Sequence, residues 1–203
     1  MTSPSAEFSK FFPDGFELET TRVRIRPMQL DDLEAFKNLT REKETWTYYY
    51  KDLSEPEELQ SWVHTAIDEK TSGKRMPFTI IDLDTKQICG SSSYGNISFY
   101  DQRLEIGWSW LGPEYIGMGV NKHVKFALIS YAFEVMKMER VEAKTDMLSE
   151  RAKAGLLKVG MIPEGVLRSH TLMHGGRRRD TIFFSLLRQE WPERRASFFG
   201  EMI

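Results

Sequence analysis

The stretch GPEYIGMGVNKHV, residues 112–124, decides how the chain is read. Gly112-Pro113 signals a turn, and Gly117 and Gly119 follow it closely. A run with helical spacing begins near Val120: Val124, Ala127, Leu128, Tyr131 and Val135 form an apolar face that Phe126, Ile129 and Phe133 widen. Glycine inside a helix costs about 1 kcal/mol relative to alanine, so two glycines at a helix entrance need a reason. One reason is a turn that requires positive φ, which is the usual explanation of a lone GxG pair. The other is an anion. The first N–H groups of a helix lack internal partners, the helix dipole adds positive potential, and glycines let several N–H groups converge on a phosphate. Two competing nucleotide motifs are missing. No GK[ST] follows the glycines, and Lys122 occupies the last glycine position of a GxGxxG frame.

Working outward, ETTRVRIRPM (19–28) alternates and reads as a half-buried strand. Asp31-Asp32 start a helix carrying Leu33, Phe36 and Leu39. TWTYYYKDLS (45–54) is aromatic and irregular. SEPEELQSWVHTAIDEK (54–70) reads as a second helix with Ser54 as N-cap. MPFTIIDLD, QICGSSSYGNISFY and DQRLEIGWSWL read as three strands, the last two joined by a hairpin near Asp101-Gln102. After the glycine-led helix come a strand (RVEAKTDM), a helix closed by Gly160 (SERAKAGLLKVG), and two strands joined at His174-Gly175-Gly176. A strand–helix–strand unit over residues 103–146 predicts a right-handed crossover between parallel strands. The hairpins around it are antiparallel. The expected fold class is α+β: a mixed, mostly antiparallel sheet of about six to seven strands with a splayed parallel pair, and helices on both faces. Residues 1–15 read as a flexible arm, 16–192 as a single domain, and 193–203 as a tail or short helix.

The 203 residues are 40% hydrophobic and 29% charged, enough to bury a core, and the net charge of -2 argues against broad binding to DNA or anionic membrane. One cysteine, Cys89, excludes an internal disulfide and a cysteine-rich metal centre. The spacing of the four histidines suggests no metal site. No signal-peptide pattern opens the sequence and no apolar run reaches the ~20 residues of a membrane span. The expectation is a cytoplasmic, soluble protein.

The segments EIGWSWLGPEYIGMGVN (105–121) and FALISYAFEVMKMERVEAKTDMLSERAKAGLLKVGMIPEGVLR (126–168) resemble the GNAT superfamily of acyl-CoA-dependent N-acetyltransferases, in particular the branch of ribosomal-protein N-terminal acetyltransferases. LETTRVRIRPMQLDDLEAF and EGVLRSHTLMHGGRRRDTIFFSLL extend the resemblance over about residues 17–191. The resemblance implies acetyl transfer from acetyl-CoA to a primary amine by direct attack in a ternary complex. The implied acceptor is a protein N-terminus or a small molecule such as an amino acid, polyamine or aminoglycoside, and a homodimer is possible. The family's cofactor motif, Q/R-x-x-G-x-G/A, falls on Ile116, Gly117, Met118, Gly119, Val120 and Asn121, so the polar first residue is absent while the backbone cradle is kept. Trp110 and Leu111 are implied to lie against the cofactor at the splayed strand.

The resemblance also implies a carboxylate base, and Glu105 stands there; a plain ion-pair partner is the other reading of that residue. His170 could bind the acceptor or act as base, or be a hydrogen-bonded strand histidine. Ser149 replaces the family's asparagine, and Ala152 stands where relatives carry a hydroxyl that protonates the leaving thiolate. Ser149 could supply a hydroxyl or simply cap its helix. These losses support an alternative reading, a non-catalytic acyl-CoA-binding sensor or interaction module. Tyr48, Tyr49 and Tyr50 could line the acceptor site or pack the loop. His123 could touch a phosphate. Arg177-Arg178-Arg179 reads as a phosphate or RNA patch or, more simply, as a solvated hairpin tip.

Overall fold

The computed structural model describes residues 4–202. In chain order the elements are α1 (Ala6–Phe11), β1 (Leu18–Glu19), β2 (Val23–Pro27), α2 (Asp32–Leu39), α3 (Pro56–Thr71), β3 (Arg75–Asp82), β4 (Gln87–Ser98), β5 (Arg103–Leu111), α4 (Val120–Ser130), β6 (Arg140–Asp146), α5 (Glu150–Leu157), β7 (Ile162–Leu172), β8 (Arg178–Leu187) and α6 (Trp191–Phe199). The eight strands form one sheet in the order β1-β2-β3-β4-β5-β6-β8-β7, and only β5 and β6 are parallel. The sheet exceeds the expected size because Leu18–Glu19 pairs with β2 as an additional short edge strand. No described helix is long and apolar enough to cross a membrane.

Strand alternation assigns the two faces. On β3, Phe78 meets Phe12, Phe16 and Tyr94, and Tyr131, at the end of α4, packs against the same two phenylalanines. The next residue, Thr79, points the other way and donates to Asp32 of α2 at 2.6 Å. Helices α1 and α4 therefore cover one face, and α2 and α3 the other, where Phe36 and Trp62 pack edge-on against Trp110. At its end α4 widens into a π-turn over Tyr131–Val135, closed by Met136 N–H on the Tyr131 carbonyl at 3.0 Å.

Two sequence expectations change, and at the C-terminus a short helix forms, one of the two forms expected there. Residues 1–3 lie outside the described residues, but the rest of the expected arm is structured. The Ser5 hydroxyl caps α1 by accepting from Phe8 N–H at 3.1 Å, and Phe8, Phe12 and Phe16 are buried. Three phenylalanines at i, i+4 and i+8 bury too much apolar area to stay in solvent. The N-cap position of α3 is Glu55; Ser54 instead donates to Asp52 at 2.6 Å. The C-terminal segment forms α6, with Trp191 and Phe199 buried. We predict that Phe12→Ala costs about 3–5 kcal/mol in urea unfolding. A loss below about 1 kcal/mol would mean that the segment does not pack as described.

Candidate active site

The parallel pairing of β5 with β6 covers only Arg103–Arg140, Leu104–Val141 and Glu105–Glu142. Beyond Glu105 the two strands separate. The cause is a bulge: β4 pairs Ser93 with Gly107 and Ser91 with Trp110, so β5 carries one extra residue there, and Trp108 takes φ +52°. The extra residue inverts the strand's alternation. Ile106 and Ser109 both face α4, whereas Glu105 and Trp110 face α2 and α3. The indole of Trp108 lies over Gly95, where a Cβ would sit 2.3 Å from it, and against the Arg75 guanidinium.

The fork opens into a cleft of about 1170 Å³. Of the residues singled out in the sequence, Glu105, Trp110, Leu111, Ile116, Gly117, Gly119, Asn121, Ser149 and His170 line it; Met118 and Val120 do not. Val120 is buried as the first residue of α4, and Met118 points outward. Gly117 and Gly119 have φ +82° and +81°, and a Cβ on either would meet nothing within 4 Å. The turn requires glycine, and the space above it is open, so the two explanations of these residues are compatible. Among the described residues, the N–H groups of Gly117, Gly119, Val120 and Asn121 have no acceptor. Free N–H donors grouped at a helix entrance fit a phosphate group.

On the α2/α3 face, Glu105 is buried and its Oε2 accepts from Asn96 Nδ2 at 2.7 Å and Lys144 Nζ at 2.9 Å. His170 Nδ1 lies 3.1 Å from Thr181 Oγ1, which also accepts from Arg179 Nε at 2.9 Å. Arg179 is buried, which lowers its pKa against the opposing pull of Asp146 and Glu105. Arg177 pairs with the fully buried Asp146. The arginine run is thus not a solvated tip as a whole: Arg177 and Arg179 are structural, and Arg178 is bound to Ser169 on the neighbouring strand. His174 Nε2 reaches the Trp46 carbonyl at 2.9 Å, tying the last hairpin to the aromatic loop. In that loop Trp46 is buried against Trp110, so it packs as well as lines, while Tyr48 is exposed. His123 bonds Thr20 at 3.1 Å and its pKa is lowered by burial. Ser149 stands at the N-cap of α5, but its side chain makes no cap hydrogen bond.

Sequence reasoning missed Lys125. It sits on α4 between Val124 and Phe126, with Leu128 and Ile129 one turn on, and its side chain is buried in the cleft wall. Its Nζ donates to Ser109 Oγ at 3.3 Å, and among the described residues it has no carboxylate within 4.0 Å. Ser109 Oγ in turn lies 2.8 Å from Ser92 Oγ. Burial pushes the Lys125 ammonium down to about 8, despite the opposing charge of Glu105.

The profile of the Acetyltransferase (GNAT) domain family matches residues 22–162. An uncharacterized N-acetyltransferase, p20 of Bacillus licheniformis, is 27% identical over 178 residues, 86% of this chain and 97% of that one. The putative ribosomal N-acetyltransferase YdaF of Bacillus subtilis is 31% identical over 104 residues, 51% of this chain and 56% of that one. The structure of Mycobacterium smegmatis RimJ in complex with CoA-disulfide superposes with a TM-score of 0.77 at 19% identity, covering 92% of this chain and 95% of that one.

The stability of the protein should carry the signature of Lys125. Its folded pKa is depressed, so between about 8 and the ordinary lysine value of 10.5 the unfolded chain binds more protons, and stability rises with pH through that window. We predict that Lys125→Met is more stable than the parent at pH 7, by on the order of 1–3 kcal/mol, and that the gap narrows toward pH 10. A gap independent of pH in denaturant melts would contradict the buried charge.

Proposed function

The chain belongs to the acetyltransferase (GNAT) family, and on that premise we propose that it moves an acetyl group from acetyl-CoA to a primary amine by direct attack in a ternary complex. The observation that carries this reading is the partnerless N–H groups of Gly117, Gly119 and Asn121, three residues that line the same cleft as the strand fork. These groups would hold the CoA pyrophosphate, with no help from a side chain at Ile116. Acetyl-CoA supplies an activated acyl group and a thiol leaving group. The free edge of β5 around Trp110 and Leu111 supplies backbone donors for the pantetheine arm and for the carbonyl oxygen as it becomes an oxyanion.

Glu105 is our candidate base. An alkylamine is mostly protonated at neutral pH, with pKa about 10.4, and must lose a proton before attack. The Glu105 carboxylate faces the α2/α3 side, where Tyr48, Tyr50 and His170 also line the cleft and an amine could enter. Lys144 and Asn96 hold that carboxylate in place. His170, fixed by Thr181, would orient the acceptor. The similarity to YdaF, named a putative ribosomal N-acetyltransferase, supports a protein N-terminus as the acceptor. The exposed apolar residues of edge strand β7, Val166, Leu167 and Leu172, support pairing of two copies. The single buried Cys89 is in keeping with a cytoplasmic setting.

The alternative is a binding module that holds acyl-CoA without turning it over. It is favoured by Ala152, which brings no hydroxyl to the cleft wall.

Thermal unfolding separates these readings from a plain turn. Acetyl-CoA should raise apparent stability by about 2.7 kcal/mol at a hundred times its Kd, while ATP and NAD should not. No shift at saturating acetyl-CoA would sink both. Gly119→Val should cost about 1–2 kcal/mol through its left-handed backbone and abolish the acetyl-CoA shift. With an amine panel, turnover supports the enzyme. Glu105→Gln should then lower kcat about 10²–10⁴-fold without weakening CoA binding; an unchanged kcat would remove Glu105 as base.

A further inference from the structure

We propose that Lys125 is the acid of this site: its ammonium faces the leaving sulfur and protonates the departing CoA thiolate. The inference rests on the acetyl-CoA reading above and assigns a residue that none of the family's motif positions contains.

The extra residue at Trp108 leaves Glu105 on the α2/α3 face and Ser109 on the α4 face. Lys125 reaches Ser109 from α4, so an anion and a cation flank the opened strands from opposite sides. An acyl chain anchored at the entrance of α4 and running along the free edge of β5 toward Glu105 passes Ser109. The acceptor side of the carbonyl carbon then meets Glu105, and the leaving side meets Lys125.

Lys125 is also costly where it stands. It is buried, its one hydrogen bond is long at 3.3 Å, and among the described residues no carboxylate lies within ion-pair distance. An ammonium has three donors, so two remain unused. Ser109 is already committed to Ser92, and a serine hydroxyl cannot compensate a buried charge. A methionine would fill the space more cheaply. The charged and titratable groups sharing its cleft are Glu105 on β5, Lys144 on β6, His170 on β7, Arg179 on β8, Lys122 on its own helix, Glu150 and Arg151 on α5, Lys158 just after α5, Glu44, and the phenols of Tyr48, Tyr49, Tyr50 and Tyr115. Glu105 draws Lys125 toward the charged form, but burial outweighs it. The resulting acidity lies close to that of a free thiol, about 8.5, so the ammonium first stabilises the departing thiolate as an ion pair, and passing it the proton costs no more than the pair's own stabilisation.

The step balances as follows. The acceptor nitrogen forms its bond to the carbonyl carbon, and the carbon–sulfur bond breaks with its electron pair on sulfur. Sulfur takes a proton from Lys125 Nζ. The proton lost by the acceptor nitrogen goes to Glu105 and on to solvent, and Lys125 regains one from water. Ser149 and Ala152 need supply no proton.

The test reads the thiol of bound CoA by its ultraviolet thiolate absorbance, and needs no acceptor. An adjacent ammonium favours the thiolate, so CoA bound to the parent protein should titrate about one to three units below free CoA. In Lys125→Met the bound thiol should return to or above the free value, with CoA affinity, measured at a pH below both titrations, within about threefold of the parent. Lys125→Gln, which keeps a polar tip, should behave like the methionine variant. A bound thiol in the parent that titrates at or above the free value overturns the proposal without any variant. So does a lowered value that persists in both variants, or a variant that loses CoA affinity instead of thiol acidity. CoA that fails to bind the parent protein at all overturns the acetyl-CoA reading itself, and this outcome is seen separately in the binding titration.

Discussion

The rest of the site depends on one interruption of a hydrogen-bond ladder. Parallel strands β5 and β6 pair through three residues and then part, because Trp108 adds a residue to β5 and cannot be accommodated in register. The strand does not collapse after the break. Its other edge stays paired to β4 through Ser91–Trp110 and Gly90–Leu111. Backbone groups on the free edge are thus held in extended geometry with no strand to satisfy them, which is an unfavourable arrangement unless something else does. The indole of Trp108, seated on Gly95 and Arg75, fixes the bulge in place. Gly95 permits that seat because any side chain would collide with the ring.

Charge follows from the same break. Glu105 occupies the last paired position, so its carboxylate is buried at the apex of the fork and needs donors, which Asn96 and Lys144 provide. Further along the same face, Asp146 is satisfied by Arg177, and Arg179 by Thr181. On the face toward α2 and α3, Glu105, Asp146 and Arg179 therefore each have a polar partner. The face toward α4 carries one buried cation, Lys125, with a single weak hydrogen bond. The two sides of the fork differ in electrostatics because one extra residue sorted the side chains between them.

Much of this was legible in the sequence. Helix α4 announces itself by an apolar stripe after Gly119, and its entrance by the two glycines, because helical period and positive φ are local properties. The strand–helix–strand unit and the flanking hairpins follow from the order of periodic segments. Glu105 and His170 were visible as polar residues on strands. Lys125 was not, since a lysine in an apolar stripe reads as a solvated interruption; only the neighbouring strands show that it is buried. The N-terminal phenylalanines were misread for the opposite reason. Their spacing is helical, but six residues are too few to form a helix without the core that buries them.

The sequence by itself determined the elements from β2 to β8, their order, the glycine-led helix entrance and the membership of the crossover unit, because each is written in contiguous residues. The tertiary structure alone decided where β5 leaves β6, which side chains face each side of the opening, and that Arg177 and Arg179 turn inward to Asp146 and Thr181. Those outcomes depend on a single extra residue at Trp108 and on partners distant in the chain. Period-two alternation fixes a side chain's face only while the register is unbroken, and the break is set by packing across strands.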